Sequence, residues 1–289
     1  MIRVAREVAD ALASGVPVVA LETSIVAQGL PAPHNLEAGL GCEAAIRREG
    51  GVPATIAVMD GELRVGLRPG ELERLAASES RKVSSRDLGP VLATGELGAT
   101  TVAATMRAAA MAGIRFMATG GIGGVHRGHP EDQSADLVEL GRSAVAVFCA
   151  GAKIILDLAY TLERLESLSV PVLGYGCDEL PAFYSRHSSC PVPRRVDGPV
   201  ETAAVLNAAW ATGSRGVVVA IPPPGELEGA EEIVLRATRE LADVAGPEAT
   251  PRLLARVAEL SGGRSLELNV DLVVNNARVA ARVARVLAG

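Results

Sequence analysis

Ile114-Arg115-Phe116-Met117-Ala118 runs into Thr119-Gly120-Gly121-Ile122-Gly123-Gly124-Val125-His126-Arg127-Gly128, and Ala144-Val145-Ala146-Val147-Phe148 runs into Cys149-Ala150-Gly151-Ala152-Lys153. Each is a short apolar run released into small residues, the pattern of a strand buried on both faces. Between them lie Glu131-Asp132-Gln133 and Ser134-Ala135-Asp136. The spacing predicts strands over 114–118 and 145–149 and helices over 134–140 and 152–168. Strand and helix alternate, so the stretch reads as part of an α/β sheet with helices on both faces.

The same alternation continues outward in both directions. A helix is expected over 4–13, a buried strand over 17–21 with Glu22 at its carboxyl end, and a helix over 35–48 capped by Asn35. Asp60-Gly61 between apolar runs predicts a hairpin joining 54–59 and 63–67. A helix opens at Pro69-Gly70-Glu71, residues 82–88 form a polar segment of undecided structure, and an alanine-rich helix follows Thr100-Thr101. Beyond Lys153, strands are expected over 170–174 and 216–221, a helix over 199–211, an irregular loop over 183–195, and mostly helix from 231 on. The expected fold is a three-layer α/β/α arrangement with a central mixed, mostly parallel sheet and a small hairpin addition. With no linker or repeat in view, residues 1–289 read as one domain.

Composition narrows the chemistry. Only 2% of residues are aromatic while 48% are apolar, so the core must be built from Val, Leu, Ile and Ala. A net charge of −6 argues against nucleic acid and anionic membranes as partners. No apolar run reaches the roughly 20 residues of a membrane span, and the N-terminus has no signal-peptide core. Cys42, Cys149, Cys177 and Cys190 show no Cys-x-x-Cys spacing, which fits a reducing cytoplasm better than zinc or disulfides.

Of the 28 lysines and arginines, only Lys82 and Lys153 are lysines. A surface cation in this chain is thus almost always Arg. Arg cannot give up its proton, whereas a buried Lys can become a neutral nucleophile, so Lys153 is a candidate nucleophile. Glu22 is either a partly buried acid-base carboxyl or a loop cap. The glycines of 120–124 form either a tight turn or a nest of N–H groups for an anion, and His126 and Arg127 add anion-binding capacity. Thr101 caps a helix or binds phosphate at its N-terminus. Asp132 and Asp136, four residues apart, would repel on a shared helix face unless a hard divalent cation joined them. Asn276 sits in a helical pattern and would meet a base edge or a neighbouring loop.

These segments resemble the pseudouridine-5'-phosphate glycosidases, also called the indigoidine synthase A-like family. The resemblance runs through Ala20-Leu21-Glu22-Thr23-Ser24-Ile25, Val52-Pro53-Ala54-Thr55-Ile56-Ala57, Lys82-Val83-Ser84, Gly98-Ala99-Thr100-Thr101-Val102, Thr119 to Gly128, Ser134-Ala135-Asp136-Leu137, Cys149 to Lys153, and Pro181-Ala182-Phe183-Tyr184. It covers almost the whole chain in one order. It implies reversible cleavage of the carbon–carbon glycosidic bond of pseudouridine 5'-phosphate to uracil and ribose 5-phosphate, with Mn²⁺ or a similar divalent ion, by a homotrimer. By position, it makes Lys153 the nucleophile, Glu22 the proton donor, Asp132 the metal ligand, and Lys82, Val102, Ser134, Ala135 and Asp136 substrate-binding residues. Gln28 stands where many relatives have His, Ser85 where Arg is common, and Ile221-Pro222-Pro223-Pro224 where the family has Asn-Pro-Ile-Pro.

An amine suits this bond, because a base attached through carbon is a poor leaving group in simple acid hydrolysis. Two further readings use some of the same residues: a Schiff-base aldolase or lyase acting on another sugar phosphate, and a sugar-phosphate-binding regulator without turnover. A ribokinase-like sugar kinase is disfavoured, because the Gly-Ala-Gly-Asp motif is absent.

Overall fold

The computed structural model describes residues 2–241 and 249–289. From the amino end, β1 (Ile2–Val4), α1 (Arg6–Ala13) and β2 (Val18–Leu21) lead through a π-helical turn (Ile25–Gly29) to α2 (His34–Arg48). Next come β3 (Val52–Met59), β4 (Glu62–Val65), α3 (Glu71–Ala77), β5 (Arg81–Val83), α4 (Leu88–Thr94), β6 (Gly98–Thr100) and α5 (Val102–Met111). The central stretch forms β7 (Phe116–Ala118), β8 (Val125–His126), β9 (His129–Gln133), α6 (Ala135–Leu140) and β10 (Ala146–Cys149). Then follow β11 (Leu156–Asp157), α7 (Leu158–Ser167), β12 (Val172–Tyr175), β13 (Arg194–Val196), α8 (Gly198–Ala211) and β14 (Val217–Ala220). Three helices complete the described chain: α9 (Ala230–Glu240), α10 (Ala249–Leu260) and α11 (Arg264–Ala288). The mostly helical pattern expected from 231 on is met by these helices, and residues 242–248 lie outside the described residues.

The main sheet has the order β1-β4-β3-β2-β7-β10-β14-β12-β13, with β6 pairing β3 and β5 pairing β6. Pairing is parallel from β3 through to β13, and antiparallel at β3/β4 and β3/β6. Side chains alternate across each strand, and that alternation builds two cores. Val19, Leu21, Phe148 and Val219 face one layer, with residues of α2, α8, α9 and α11. Val18, Ala20, Val147 and Val218 face the other, with α1, α4, α5 and α7. The expected three-layer α/β/α arrangement with a mixed, mostly parallel sheet is what forms.

The hairpin turn falls at Asp60-Gly61, both left-handed (φ 53° and 75°), the pair of conformations that matches strand twist in a two-residue turn. Four expectations shift. Residues 2–4 make an edge strand parallel to β4, and the helix begins only at Arg6. Asn35 does not cap α2: its Nδ2 donates to the Val26 carbonyl (3.0 Å) and so ties the helix to the π-helical turn. The polar segment 82–88 resolves into β5 and the turn leading to α4. Lys153 does not enter a helix. Residues 156–157 pair with β8 first, and α7 starts at Leu158, where Asp157 accepts from the Tyr160 N–H (3.0 Å). All four cysteines are free thiols.

Candidate active site

Parallel strands in an α/β sheet present their carboxyl ends along one edge, where ligands bind. Here β2 delivers Glu22, β7 delivers Thr119, and β10 leads to Lys153. Three buried threonines fix this edge from below. Thr23 and Thr100 both donate to the Ile56 carbonyl (2.7 Å each), the Thr100 N–H donates to Thr23 Oγ1 (2.9 Å), and Thr105 donates to Thr100 (2.9 Å). In the layer above, Asn276 on α11 donates to the Thr119 carbonyl (2.9 Å).

The glycine loop continues the β7/β10 pairing beyond the sheet. Thr119 N–H donates to Phe148, Ala150 N–H to Gly120, Ile122 N–H to Gly151, and Lys153 N–H to Ile122. None of Gly120, Gly121, Gly123 and Gly124 adopts positive φ, so the loop is neither of the forms expected of it, tight turn or open nest. Close packing is what requires glycine: a Cβ on Gly123 would collide with the Ser134 side chain, and one on Gly124 with Thr161. The anion in this loop is the protein's own. Asp136, buried, accepts from Gly123 N–H (2.8 Å) and Ala103 N–H (2.9 Å), joining the loop to the start of α5. Asp132 lies in strand β9, so the two aspartates share no helix face.

Two hollows meet at this edge. The first, about 530 Å³, is lined by Glu22, Ser24, Gln28, Lys82, Lys153, Phe183 and Asn269 among others. The second, about 960 Å³, is lined by Lys82, Thr101, Val102, His126, Asp132, Ser134, Ala135, Asp136 and Lys153, with Ser24 again on its wall. Both lysines of the chain therefore stand where the two hollows join. Burial and the neighbouring Lys153 ammonium push the Lys82 amine below the ordinary lysine range, and Glu22 and Asp136 act against that shift. Glu22 is buried and accepts from Thr119 and Ser24, one hydroxyl on each oxygen. Cys149, behind the loop, is pushed up to about 12 by burial, with Asp136 adding to the shift, so no thiolate competes with the amines.

The other expected residues are placed as follows. Thr101 accepts from Ala104 N–H (3.5 Å) and caps α5, with Val102 the first helical residue. His126 Nδ1 lies 2.8 Å from Asp132 Oδ2. Arg127 does not line either hollow. Its guanidinium donates to the carbonyls of Ile154 (3.3 Å) and Leu156 (3.1 Å) and holds the segment after Lys153. Asn276 also lies off both walls, clasping the loop from behind. Ser85 donates to Glu139 (2.9 Å), which also accepts from Arg107 (2.6 Å). Ser24, Thr119, Phe183 and Asn269 join the wall of the first hollow without a sequence motif that assigns them a role. Asn269 carried a signal, an amide on the apolar face of a helix, and here it donates to the Tyr184 hydroxyl (2.6 Å).

A divalent cation meets a sparse donor set. Among the described residues no group of three or more His, Cys, Asp or Glu is placed to hold a metal ion. Asp132 is an exposed carboxylate on the wall of the second hollow. A hard cation held by one carboxylate, waters and substrate oxygens fits such a wall.

The family model described as indigoidine synthase A-like protein matches residues 7–286. A protein of Nocardioides sp. named pseudouridine-5'-phosphate glycosidase is 54% identical over 293 residues, covering 98% of this chain and 95% of its own length. One of the same name from Deinococcus radiodurans is 53% identical, covering 96% and 92%. Among solved structures, the prealnumycin C-glycosynthase AlnA in complex with ribulose 5-phosphate superposes with a TM-score of 0.90 at 36% identity over 100% of this chain and 97% of that one. An indigoidine synthase A-like protein from Thermotoga maritima gives 0.92 at 32% identity, with the same coverage. With both lysines at the carboxyl edge of the sheet and similarity along its whole length, this chain belongs to the indigoidine synthase A-like family of enzymes, that of the pseudouridine-5'-phosphate glycosidases.

Proposed function

We propose that the chain reversibly cleaves the carbon–carbon glycosidic bond of pseudouridine 5'-phosphate, giving uracil and ribose 5-phosphate through a covalent intermediate on Lys153. The observation that carries this reading is the convergence of Lys153, Lys82 and Glu22 on one cleft in a chain about half identical to proteins bearing that name. In the same cleft, burial and the charge of Lys153 hold the Lys82 amine below the ordinary lysine range. The Lys153 amine attacks the anomeric carbon, the ring C–O bond breaks, and the ring oxygen takes the proton lost by the amine. A proton from Glu22 goes to the uracil C5. The nitrogen lone pair then forms the iminium, while the electrons of the severed C–C bond restore the C5=C6 double bond of uracil. Water adds to the iminium, ribose 5-phosphate leaves, and Glu22 recovers its proton. Covalent catalysis thus divides one difficult cleavage into easier steps.

In this reading Lys82, Thr101, Val102, His126 and the run Ser134, Ala135 and Asp136 form the sugar-phosphate side, and Arg127 and Asn276 position the loop and the segment after Lys153. Asp132 would hold Mn²⁺ or a similar ion, which would supply positive charge to polarise or position the substrate. The same reading has residues 1–289 act as one domain, in a cytoplasmic homotrimer. No helix among the described residues is long and apolar enough to cross a membrane, and the charge of −6 gives no attraction to nucleic acid. The test is uracil release from pseudouridine 5'-phosphate with and without Mn²⁺, with Lys153→Ala alongside. Metal-dependent release that vanishes in the variant supports reaction, cofactor and nucleophile together. The neighbour bound to ribulose 5-phosphate favours one second reading, a Schiff-base lyase on another sugar phosphate, and turnover of deoxyribose 5-phosphate without uracil release would select it.

A further inference from the structure

We propose that the side-chain carbonyl of Gln28 reads the base, accepting a ring N–H of the pyrimidine-dione; this rests on the reaction proposed above. Gln28 lies in the π-helical turn Ile25–Gly29 and lines the first hollow together with Lys153 and Glu22. Its Nε2 donates to the Ser80 carbonyl (2.9 Å) and to Ser80 Oγ (3.0 Å). Both amide protons are thereby used, and the plane of the amide is fixed. The remaining polar atom, Oε1, is buried and has no hydrogen-bond partner. A buried carbonyl without a donor is costly, and on the wall of a cavity the missing donor is one that a ligand supplies.

The rest of the hollow suits a flat ring. Ile25, Leu30, Phe183 and Leu254 give it apolar walls. Phe183 is held at φ 63°, an unfavourable conformation for an aromatic residue, and its N–H donates to the Ala150 carbonyl (3.1 Å). Its ring lies so close to Gly121 that a Cβ there would sit 2.7 Å from it. A ring of this kind, apolar on its faces with N–H groups on its edge, is met by apolar walls and one acceptor. A uracil attached through carbon keeps both ring N–H groups, whereas one attached through N1 keeps only one. Cytosine presents an acceptor at N3 where uracil presents a donor, and would leave Oε1 unpaired.

The experiment combines one variant with two substrates. Gln28→Met keeps the length of the side chain and removes the acceptor. In the synthetic direction its KM for uracil should rise about tenfold or more, while its KM for ribose 5-phosphate stays within about twofold. The wild-type protein should lose a similar factor in kcat/KM on either 1-methyl- or 3-methylpseudouridine 5'-phosphate, and Gln28→Met should show no such penalty. Borohydride trapping of ribose 5-phosphate on the protein, read by mass spectrometry, reports sugar chemistry separately. Wild-type protein that neither releases uracil nor is labelled overturns the reaction and this assignment with it. Wild-type turnover with an unchanged uracil KM in a folded Gln28→Met overturns the Gln28 assignment alone. So does equal use of the parent and both methylated substrates by the wild type, a measurement that needs no variant.

Discussion

Lys153→Arg separates charge from nucleophilicity. Arg keeps a cation in the cleft but cannot become a neutral amine, so turnover should fall on the order of 10⁴-fold or more, read as uracil release and as loss of the borohydride-trapped adduct. Lys82 gives a pH prediction of known sign. Its folded-state pKa lies below the ordinary value because of burial and the charge of Lys153. Between the two values the unfolded chain binds more protons, so this residue makes stability rise with pH across that window. Lys82→Met should therefore melt higher than the wild type at neutral pH, with the difference shrinking toward the ordinary lysine pKa, while it turns over more slowly. A melting temperature lowered at neutral pH would contradict this account of Lys82. Asp136→Ala leaves two buried N–H groups without an acceptor and should cost about 3 kcal/mol, measured by denaturant unfolding.

The glycine loop after β7 and the segment after β10 form one clasped ribbon, and its tolerance to substitution follows from what touches it. Gly151 has φ 79°, and a Cβ there would strike the Pro181 carbonyl oxygen, part of the backbone. Gly151→Ala should thus cost more than about 2 kcal/mol and displace Lys153 two residues on. Equal stability of variant and wild type in urea would refute the packing argument. The strands were legible because buried parallel strands are written as continuous apolar runs. The hairpin was legible because Asp60-Gly61 admits left-handed backbone at both positions. The start of α7 was not, because Ile154 and Ile155 suit a helix pattern and a strand equally, and only the pairing of Leu156 with His126 decides between them. Rarity singled out Lys153, while a place for Lys82 in the same site came only from the family resemblance; the structure puts both on the walls of the two hollows. The two partners of Glu22, and the engagement of Asp136 by the glycine loop, were not, since hydroxyls and backbone N–H groups leave no mark in a sequence until topology brings them together.

At the scale of the molecule, the proposed trimer makes a plain prediction. Light scattering on the purified chain should give about three times the 29.7 kDa of one copy, and a monomer mass at micromolar concentration would remove that part of the proposal. The clasp by Asn276 has a further consequence. The helix that holds the Thr119 carbonyl lies 157 residues further along the chain. At a synthesis rate of about 5–20 residues per second, the ribosome needs roughly 8–30 s to cover that interval. For that time the nascent chain already carries its glycine loop but lacks the amide that secures it. The edge that bears Glu22 and Lys153 can therefore be completed only after the carboxyl-terminal helix has been made.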